Sequence, residues 1–445
     1  MIEHATRTMD YRPIDSLTQA KRKARTHSRK QIRQIADSIK RFGFTNPVLV
    51  DGDGGIVAGH GRVAAAKLLG LATVPVVSLS SLSAKERKAY ALADNKLALN
   101  AGWDQDLLAL EFRELIDAGF DLELTGFSLA EVDFTLEQAT QSRTDTPDAA
   151  ADRIPALAPV AVSRPGDLWQ LGRHRLLCGD AREPTHFEVL MAGDAAGLVF
   201  TDPPYNVPID GHVSGLGRVR HREFAMGVGE MAEAAFVAFL AMALRNMAAQ
   251  CRDGAILYVC MDWRHLAELS AAGRQCGLEL KNLCVWNKTN GGMGTFYRSK
   301  HELVFVFKHG EAPHVNSFGL GDTGRYRTNV WDYPGISSIG PSRATDLAMH
   351  PTVKPVALVA DAIRDCSRRG DIILDPFAGS GTTVIAAQMT GRVARVIEYD
   401  PFYCDTILRR FEQFSGQPAT LIGSGESFEL VSESRAAAMS VGAAP

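Results

Sequence analysis

Residues 370–383 read GDIILDPFAGSGTT and decide the fold of the larger part of the chain. A short apolar run that ends in Asp375 is typical of a buried strand, and the residues after the glycines favour a helix. Gly379 and Gly381 let the backbone of the turn approach a ligand without Cβ clashes. Glu398 ends the next apolar run about 20 residues further on, where a carboxylate can accept hydrogen bonds from ribose hydroxyls. The stretch predicts a ligand site at the carboxyl edge of an α/β sheet.

The charge of this turn indicates which ligand it holds. No lysine follows the glycines, so the turn is not a triphosphate-binding loop. Asp375 and Glu398 place negative charge where such a loop carries positive charge, which favours a cationic ligand. S-adenosylmethionine carries a sulfonium and an ammonium, and we predict it as the cofactor. The candidate cofactor-binding residues are Asp180, Thr352, Lys354, Asp375, Phe377, Gly379, Gly381, Thr382 and Glu398.

Three of these candidates also have an ordinary structural interpretation. Asp180 ends another strand and offers a carboxylate to an adenine amine, but it suits a helix cap equally well. Thr352 and Lys354 stand in residues 350–355, HPTVKP, where a helix begins. They can hold the methionine carboxylate at that helix N-terminus or simply start the helix.

A second strand ends in residues 201–205, TDPPY. The run before them is short and apolar, and two prolines cannot continue a sheet ladder. Asp202 and the carbonyl of Pro203 would accept hydrogen bonds from an exocyclic amine of a nucleobase and free its lone pair. Pro204 adds rigidity, and Tyr205 offers a face for an unstacked base. These four residues are the candidate catalytic residues, with a strand-ending turn and a capping aspartate as the alternative.

Composition narrows the class of protein. The 445 residues predict two or three domains, and no apolar run approaches the roughly 20 residues that cross a bilayer. The N-terminus has no apolar signal core, so we expect a cytoplasmic protein without a membrane partner. Seven scattered cysteines without a Cys-x-x-Cys pair predict neither a metal site nor a disulfide framework. Residues 12–41 contain ten Lys/Arg and only two Asp/Glu, and this excess of positive charge favours nucleic-acid contact over a helix face that is merely solvated.

Residues 1–82 are predicted to form a small α/β domain. Short apolar strands flank a helix, and the turn before the second helix reads Gly59-His60-Gly61-Arg62. Gly59, His60 and Arg62 form a candidate phosphate turn at a helix N-terminus. The layout resembles the ParB/sulfiredoxin-like fold, which implies that this module binds DNA or a nucleotide. The nucleotide-hydrolysing members of that family have Glu-Arg-Arg where this chain has His60-Gly61-Arg62, so hydrolysis is not implied.

The middle of the chain changes character twice. Residues 83–141 read as amphipathic helices, in the place where ParB-like proteins carry a helical DNA-binding segment. Residues 142–165 are rich in Thr, Pro, Asp and Ala without an apolar period, and we predict a linker. After it, seven strand-like runs alternate with helices, which predicts a mostly parallel sheet. These runs lie near residues 175–178, 197–201, 255–260, 282–286, 302–307, 372–375 and 394–398.

Residues 166–416 contain three motifs whose sequence and order along the chain resemble those of a second known family. DPPY, then HPTVKP, then DPFAGSGT is similar to the N4-cytosine/N6-adenine DNA amino-methyltransferases, in the motif order of their β group. The resemblance implies a seven-stranded S-adenosylmethionine-dependent methyltransferase sheet with one antiparallel strand, and double-stranded DNA as the partner. Asp202 at the head of its motif favours adenine N6, with cytosine N4 as the alternative. A ParB-like DNA-binding regulator with an inert methyltransferase part is the competing function.

The intervals between the motifs supply the candidate DNA contacts. Residues 206–229 follow the catalytic turn, and residues 289–349 hold the target-recognition insert of the resembling family. Arginines and aromatic residues in such loops suit base and phosphate contacts, although loops packed by their own aromatics are the alternative. The candidates are Arg218, Arg220, Arg222, Lys288, Arg298, Arg325 and Arg327. Residues 417–445 are predicted to be a tail, and a homodimer stays open.

Overall fold

The computed structural model describes residues 8–19, 25–141, 150–207, 229–289, 291, 297–318, 326–335 and 353–442. The chain divides into two compact units, Met1–Arg143 and Thr144–Pro445. Thr352, Arg218, Arg220, Arg222 and Arg325, which the sequence singles out, lie outside the described residues. Along the described residues, none of the helices combines the length and the apolar character that a membrane span requires.

The first unit opens with a four-stranded sheet in the order β1-β4-β2-β3. Its core is a cluster of aliphatic side chains from the inner faces of the strands, among them Val48, Val50, Val74 and Val76. The predicted strands and helices are present, and β1 is an addition that pairs antiparallel with β4. The elements are β1 Met9–Pro13, helix Arg29–Phe42, β2 Val48–Val50, β3 Ile56–Ala58, helix His60–Leu68 and β4 Thr73–Ser78.

Three helices complete the first unit: Ala84–Leu99, Gln105–Asp117 and Leu129–Gln141. The first begins with a capping box in which the Ser83 hydroxyl accepts from the Glu86 backbone N–H and the Glu86 carboxylate accepts from that of Ser83. The other two helices bury their own small apolar cluster around Phe112 and Val132.

The second unit is built on a ten-stranded sheet in the order β11-β9-β10-β8-β7-β12-β13-β6-β5-β14. All seven predicted strands are in it, as β6, β7, β8, β9, β10, β12 and β13. The strands are β5 Leu168–Leu171, β6 His174–Cys178, β7 Ala196–Thr201, β8 Cys251–Met261, β9 Glu279–Asn287, β10 His301–Lys308, β11 Val330–Asp332, β12 Ile372–Asp375, β13 Val393–Glu398 and β14 Ala419–Leu421.

Strand direction decides which residues share an edge. Within the central seven strands, β10 is antiparallel to both of its neighbours, β8 and β9, while β8, β7, β12, β13 and β6 run parallel. The expectation of one antiparallel strand is confirmed. Consequently the first residues of β10 lie at the same edge as the last residues of the parallel strands.

Helices cover both faces of this sheet. Strand β7 is buried at every position, which is typical of a strand covered on both sides. Two apolar clusters, one on each face, pack the helices against the strands. The helices are Pro184–Met191, Glu233–Ala249, Leu266–Gln275, Val356–Cys366, Thr382–Thr390, Pro401–Ser415 and Phe428–Gly442.

Two stretches differ from their predicted character. In the predicted linker, Ala151 is only 3% exposed, and its carbonyl accepts a hydrogen bond of 2.8 Å from the guanidinium of Arg410. The backbone N–H groups of Val162 and Ser163 donate to the Asp405 carboxylate. Residues 150–164 therefore belong to the second unit as a packed segment. Their composition hid this, because the contacts are backbone hydrogen bonds that leave no apolar period.

The predicted tail is also part of the second unit. Strand β14 extends the sheet beside β5, and Phe428 packs edge-on against the Trp169 ring with 5.6 Å between ring centroids. Arg435 pairs with Asp167 at 2.5 Å. The proposed division of the chain at residues 82 and 165 stays a prediction.

Candidate active site

The two motif-bearing strand ends lie side by side. Strands β7 and β12 are parallel neighbours, and the Thr201 hydroxyl donates to the Asp375 carboxylate at 2.8 Å. The other Asp375 oxygen accepts from the Thr383 hydroxyl at 2.6 Å. Asp375 is 4% exposed, and both oxygens of its carboxylate accept hydrogen bonds from groups inside the protein. Asp375 therefore links Thr201, at the end of β7, to Thr383, in the helix that follows the glycine turn.

The Asp202 carboxylate is held from two sides. The Tyr205 hydroxyl donates to one oxygen at 2.6 Å, and the Lys354 ammonium donates to the other at 2.5 Å. The Lys354 carbonyl in turn accepts from the Thr382 hydroxyl at 3.4 Å. The sequence predicts that Lys354 holds a ligand carboxylate or simply starts a helix. In the structure its side chain contacts Asp202, and its carbonyl borders the glycine turn.

Glu302 completes this cluster and was missed by sequence reasoning. It stands at the start of β10, which the antiparallel direction brings to the catalytic edge. Its carboxylate lies 2.9 Å from the Lys354 ammonium and 3.2 Å from the Tyr205 hydroxyl, and it also pairs with Lys288. A charged residue at the head of the apolar run LVFVF is the signal that could have indicated it.

The cluster of Asp202, Glu302, Lys354 and Lys288 holds two negative and two positive charges. Burial alone would lower the pKa of Lys354, but Asp202 and Glu302 raise it above its ordinary value. Burial would raise the pKa of Glu302, but the two ammonium groups lower it to about 2. Burial, with the nearby Glu302 charge, raises the pKa of Asp202. The lysine stays charged, and Asp202 is the stronger base of the two carboxylates.

The glycine turn forms a cradle next to this cluster. Gly379 has φ +53°, and a Cβ added there would meet no described atom within 4 Å. Its N–H donates to Glu398 at 2.7 Å, and the second Glu398 oxygen accepts from the Asp400 N–H at 2.8 Å. Gly381 has φ +84°, and a Cβ there would lie 3.0 Å from Ile407. Open space over Gly379, beside two carboxylates, fits a cationic nucleoside.

Burial perturbs the acids of this cradle. It raises the pKa of Glu398 to about 8, although the hydrogen bonds from the backbone N–H groups of Asp400 and Gly379 lower it. It raises the pKa of Asp375 to about 6 against the hydrogen bonds from Thr383 and Thr201. Phe377 is half-buried, with its ring centroid 6.1 Å from that of Phe239.

Asp180 is placed at the end of β6, as the sequence predicts, but its carboxylate is engaged. Arg182 donates to both oxygens, at 3.0 and 2.6 Å. The helix that follows begins at Pro184 with Glu183 before it, so Asp180 is not its cap. Asp180 can accept from a ligand amine only in addition to Arg182 or in its place.

The described DNA-contact candidates divide into three environments. Arg298 is exposed. Lys288 pairs with Glu302, and its ammonium lies 4.5 Å from the Trp286 ring centroid. Arg327 is 17% exposed and donates to Asp365 at 2.9 Å, so it ties its segment to the helix Val356–Cys366. These contacts favour the alternative that Arg327 packs against polar and aromatic partners over a contact with phosphate.

The candidate phosphate turn of the first unit has the expected backbone. Gly59 is left-handed, with φ +100°, directly before the helix that starts at His60. The Arg62 guanidinium donates to the Asn46 carbonyl at 2.8 Å and to that of Pro47. Burial lowers the pKa of Arg62. The arginine thus also ties the turn to the loop before β2.

Comparisons with known families cover most of the chain. Residues 196–409 match the family model described as DNA methylase. Residues 106–165 match the ParB-methyltransferase HTH domain, and residues 3–96 match the ParB N-terminal domain.

Individual relatives each match part of the chain. The ParB-like nuclease domain-containing protein YnaK of Escherichia coli is 50% identical over 78 residues, which are 18% of this chain and 90% of that protein. The type II methyltransferase M2.MboI of Moraxella bovis is 24% identical over 244 residues, 52% of this chain and 84% of that protein. A putative DNA modification methylase from Thermus thermophilus, in complex with S-adenosyl-L-methionine, is 24% identical, covering 54% of this chain and 94% of that one, with a TM-score of 0.38.

Proposed function

We propose that this chain, which belongs to the N6/N4 DNA methylase family and carries a ParB N-terminal domain, methylates adenine N6 in double-stranded DNA. S-adenosylmethionine is the methyl donor. The observation that carries the proposal is the position of Asp202. Thr201, the residue before Asp202, is hydrogen-bonded to Asp375, which ends the strand that leads into the glycine cradle. We therefore expect an amine on Asp202 to lie near a ligand over Gly379.

The turn after β7 activates the amine. The lone pair of an exocyclic amine is delocalised into its base, which makes the nitrogen a poor nucleophile. Asp202 and the Pro203 carbonyl accept its two N–H bonds and draw the nitrogen towards a pyramidal shape, while Tyr205 supports the extruded base. The cofactor, when bound, supplies an electrophilic methyl group on its sulfonium.

The proton balance of the transfer also points to Asp202. As the nitrogen forms its bond to the methyl carbon, the bond from that carbon to sulfur would break with sulfur leaving as a neutral thioether, and the methylated nitrogen must lose one N–H proton. Asp202, the stronger base of the two cluster carboxylates, takes it directly or through water. Lys354 remains an ammonium throughout, because its pKa is raised by the carboxylates around it.

The glycine turn and its carboxylates hold the cofactor. Gly379 leaves room for the nucleoside. Glu398, whose oxygens accept from the Gly379 and Asp400 N–H groups, would accept from ribose hydroxyls with its remaining lone pairs. Phe377 borders this space with its half-buried ring. Asp180 reaches the adenine amine of the cofactor once it shares or releases Arg182.

The preference for adenine rests on Asp202 at the head of the tetrapeptide. In the resembling family an aspartate there is commoner with adenine, and a serine with cytosine. A carboxylate accepts from the amine and also takes up the proton, whereas a hydroxyl is a weaker base. Cytosine N4 is the alternative target that the same experiment detects.

The test uses methyl-labelled cofactor and mixed-sequence DNA, followed by nucleoside analysis. We expect label in N6-methyladenine with the unchanged protein and no transfer with Asp202→Ala, which should still bind the cofactor. Asp253→Ala is the matched control, because Asp253 lies near the other end of β8, on the order of 25 Å along the strand from the catalytic edge. Transfer by Asp202→Ala at the rate of that control would contradict the assigned role.

The first unit is proposed to strengthen DNA binding. The helix Arg29–Phe42 exposes Arg29, Lys30 and Arg33, within the basic stretch of the chain. Each phosphate contact should steepen the fall of affinity with salt by about one unit of log–log slope. Lys30→Glu with Arg33→Glu in the full chain should flatten that slope, and an unchanged slope would remove this unit from the DNA interface.

A further inference from the structure

We propose that Glu302 is a positioning residue for methyl transfer, which accepts the Lys354 ammonium when the target amine displaces it from Asp202. The proposal rests on the proposed function, because it needs an amine at Asp202. It assigns a role to a residue outside the three motifs, at the head of the antiparallel strand β10.

Both oxygens of Asp202 are occupied in this structure. Tyr205 donates to one and Lys354 to the other, at 2.6 and 2.5 Å. An amine that enters the turn must therefore share an acceptor oxygen with one of these donors or displace it. The Lys354 ammonium lies 5.6 Å from the Tyr205 ring centroid and 5.8 Å from that of Trp286, so it sits beside the aromatic faces where a base would stack.

A displaced ammonium needs another acceptor, because its side chain is 5% exposed and cannot reach bulk water. Glu302 is already 2.9 Å from it. The Glu302 carboxylate also lies 3.2 Å from the hydroxyl of Tyr205, which is the second donor to Asp202. Glu302 is thus already within hydrogen-bonding reach of both side chains that donate to Asp202.

The charges of the cluster support the role of Glu302 as the second acceptor for the Lys354 ammonium. The cluster of Asp202, Glu302, Lys354 and Lys288 is neutral as a whole, and a neutral base does not change that. Without the Glu302 charge, Lys354 would be attracted to Asp202 alone and would compete harder with the amine. The remaining titratable groups of the described chain that face the cluster are Tyr205 from the β7 turn, Cys260 from β8 and Asp375 from β12.

The experiment compares Glu302→Gln with Glu279→Gln, a matched control at the exposed start of β9, in steady-state methylation of DNA. We expect Glu302→Gln to lose about tenfold to a hundredfold in kcat, the scale expected for a misplaced catalytic group. Its KM for the cofactor should stay unchanged, and the acid limb of kcat/KM should move to lower pH, because a negative charge beside Asp202 is gone. Rates and pH profile equal to those of Glu279→Gln would overturn the inference.

A double variant separates positioning from mere packing. Glu302→Gln leaves the cluster with one surplus positive charge, and Lys354→Gln leaves one surplus negative charge. The combination restores neutrality and removes the competitor for Asp202. It should therefore retain more activity than the product of the two single losses, whereas losses that multiply would overturn the inference.

Two further readouts keep the result interpretable. If Glu302→Gln melts well below the unchanged protein, Glu302→Asp decides, because it keeps the charge on a side chain one methylene shorter. A reduced kcat at an unchanged melting temperature supports the inference, and an unchanged kcat contradicts it. An unchanged protein that transfers no methyl group overturns the proposed function, whereas an active one matched by Glu302→Gln overturns only the role of Glu302.

Discussion

Replacing Lys354 with methionine should lower the free energy of unfolding by about 3–5 kcal/mol at pH 8. Lys354 is 5% exposed, and its ammonium lies between two carboxylates, at 2.5 Å from Asp202 and 2.9 Å from Glu302. Methionine fills a similar volume, so the loss reports charge rather than a cavity. Removing the lysine leaves the buried Glu302 carboxylate and the half-buried Asp202 carboxylate, and only Lys288 partly compensates for their charge.

The magnitude also follows from the Glu302 carboxyl group. Its pKa is lowered from 4.5 to about 2, a difference worth about 3 kcal/mol at neutral pH. A depressed folded-state pKa gives stability that is present above the unfolded value and is lost as pH falls through the folded one. In Lys354→Met this contribution shrinks, and Asp202, whose pKa is already raised, becomes costlier to ionise. The difference between the two proteins should therefore be largest at pH 8, smaller at pH 5, and close to zero near pH 2.

The assay is urea unfolding of both proteins at pH 8 and pH 5. Lys308→Met is the matched control, because Lys308 is also buried, at 7% exposed, and donates to the Gly310 carbonyl at 2.6 Å. That variant should lose about 1 kcal/mol at both pH values. Equal losses for the two lysines, or a Lys354→Met loss that ignores pH, would refute the reasoning.

Three further predictions concern the strand ends and the glycine cradle. Thr201→Val removes one hydrogen bond to buried Asp375 and should cost about 1.5–3 kcal/mol in urea unfolding, while Thr201→Ser should cost less. Cofactor affinity, measured by calorimetry, should rise from about pH 6 to pH 8, since the pKa of Glu398 is about 8 and its carboxylate is the form that accepts from ribose; Glu398→Gln should abolish this rise. Gly379 and Gly381 both have a positive φ, so an alanine strains the backbone at either position. Gly379→Ala places its Cβ in open space and should weaken cofactor binding more than Gly381→Ala does, whereas the contact with Ile407 should make Gly381→Ala the more destabilising of the two. The opposite ranking would place the ligand elsewhere.

The sequence predicts the central sheet because its signals are local. Each of the seven strands is an apolar run bounded by polar, glycine or proline residues, and these limits can be seen without knowledge of the neighbours. Strands β5, β11 and β14 were missed. They are three or four residues long and lie towards the sheet edges, so pairing rather than pattern defines them.

In the site, too, the sequence predicts contacts between residues that are close along the chain but not contacts between residues that are far apart. Asp202 and Tyr205 are three residues apart, and one motif contains both. Glu302 lies 97 residues from Tyr205, and only the reversed direction of β10 brings them together. The side-chain direction of Lys354 also could not be predicted, because its partner Asp202 lies 152 residues away.

The reversed strand β10 has a consequence for how such an enzyme diversifies. Strand β9 ends at Asn287 and β10 begins at His301, so the connection between them leaves from and returns to the catalytic edge, with the Lys288 N–H donating to the Lys300 carbonyl at 2.8 Å across its base. Insertions or deletions between these anchors would change the length of the connection at that edge and leave Glu302 at the head of β10. Under the proposed function, changes in DNA sequence preference could therefore accumulate at this connection without moving the residues that carry out methyl transfer.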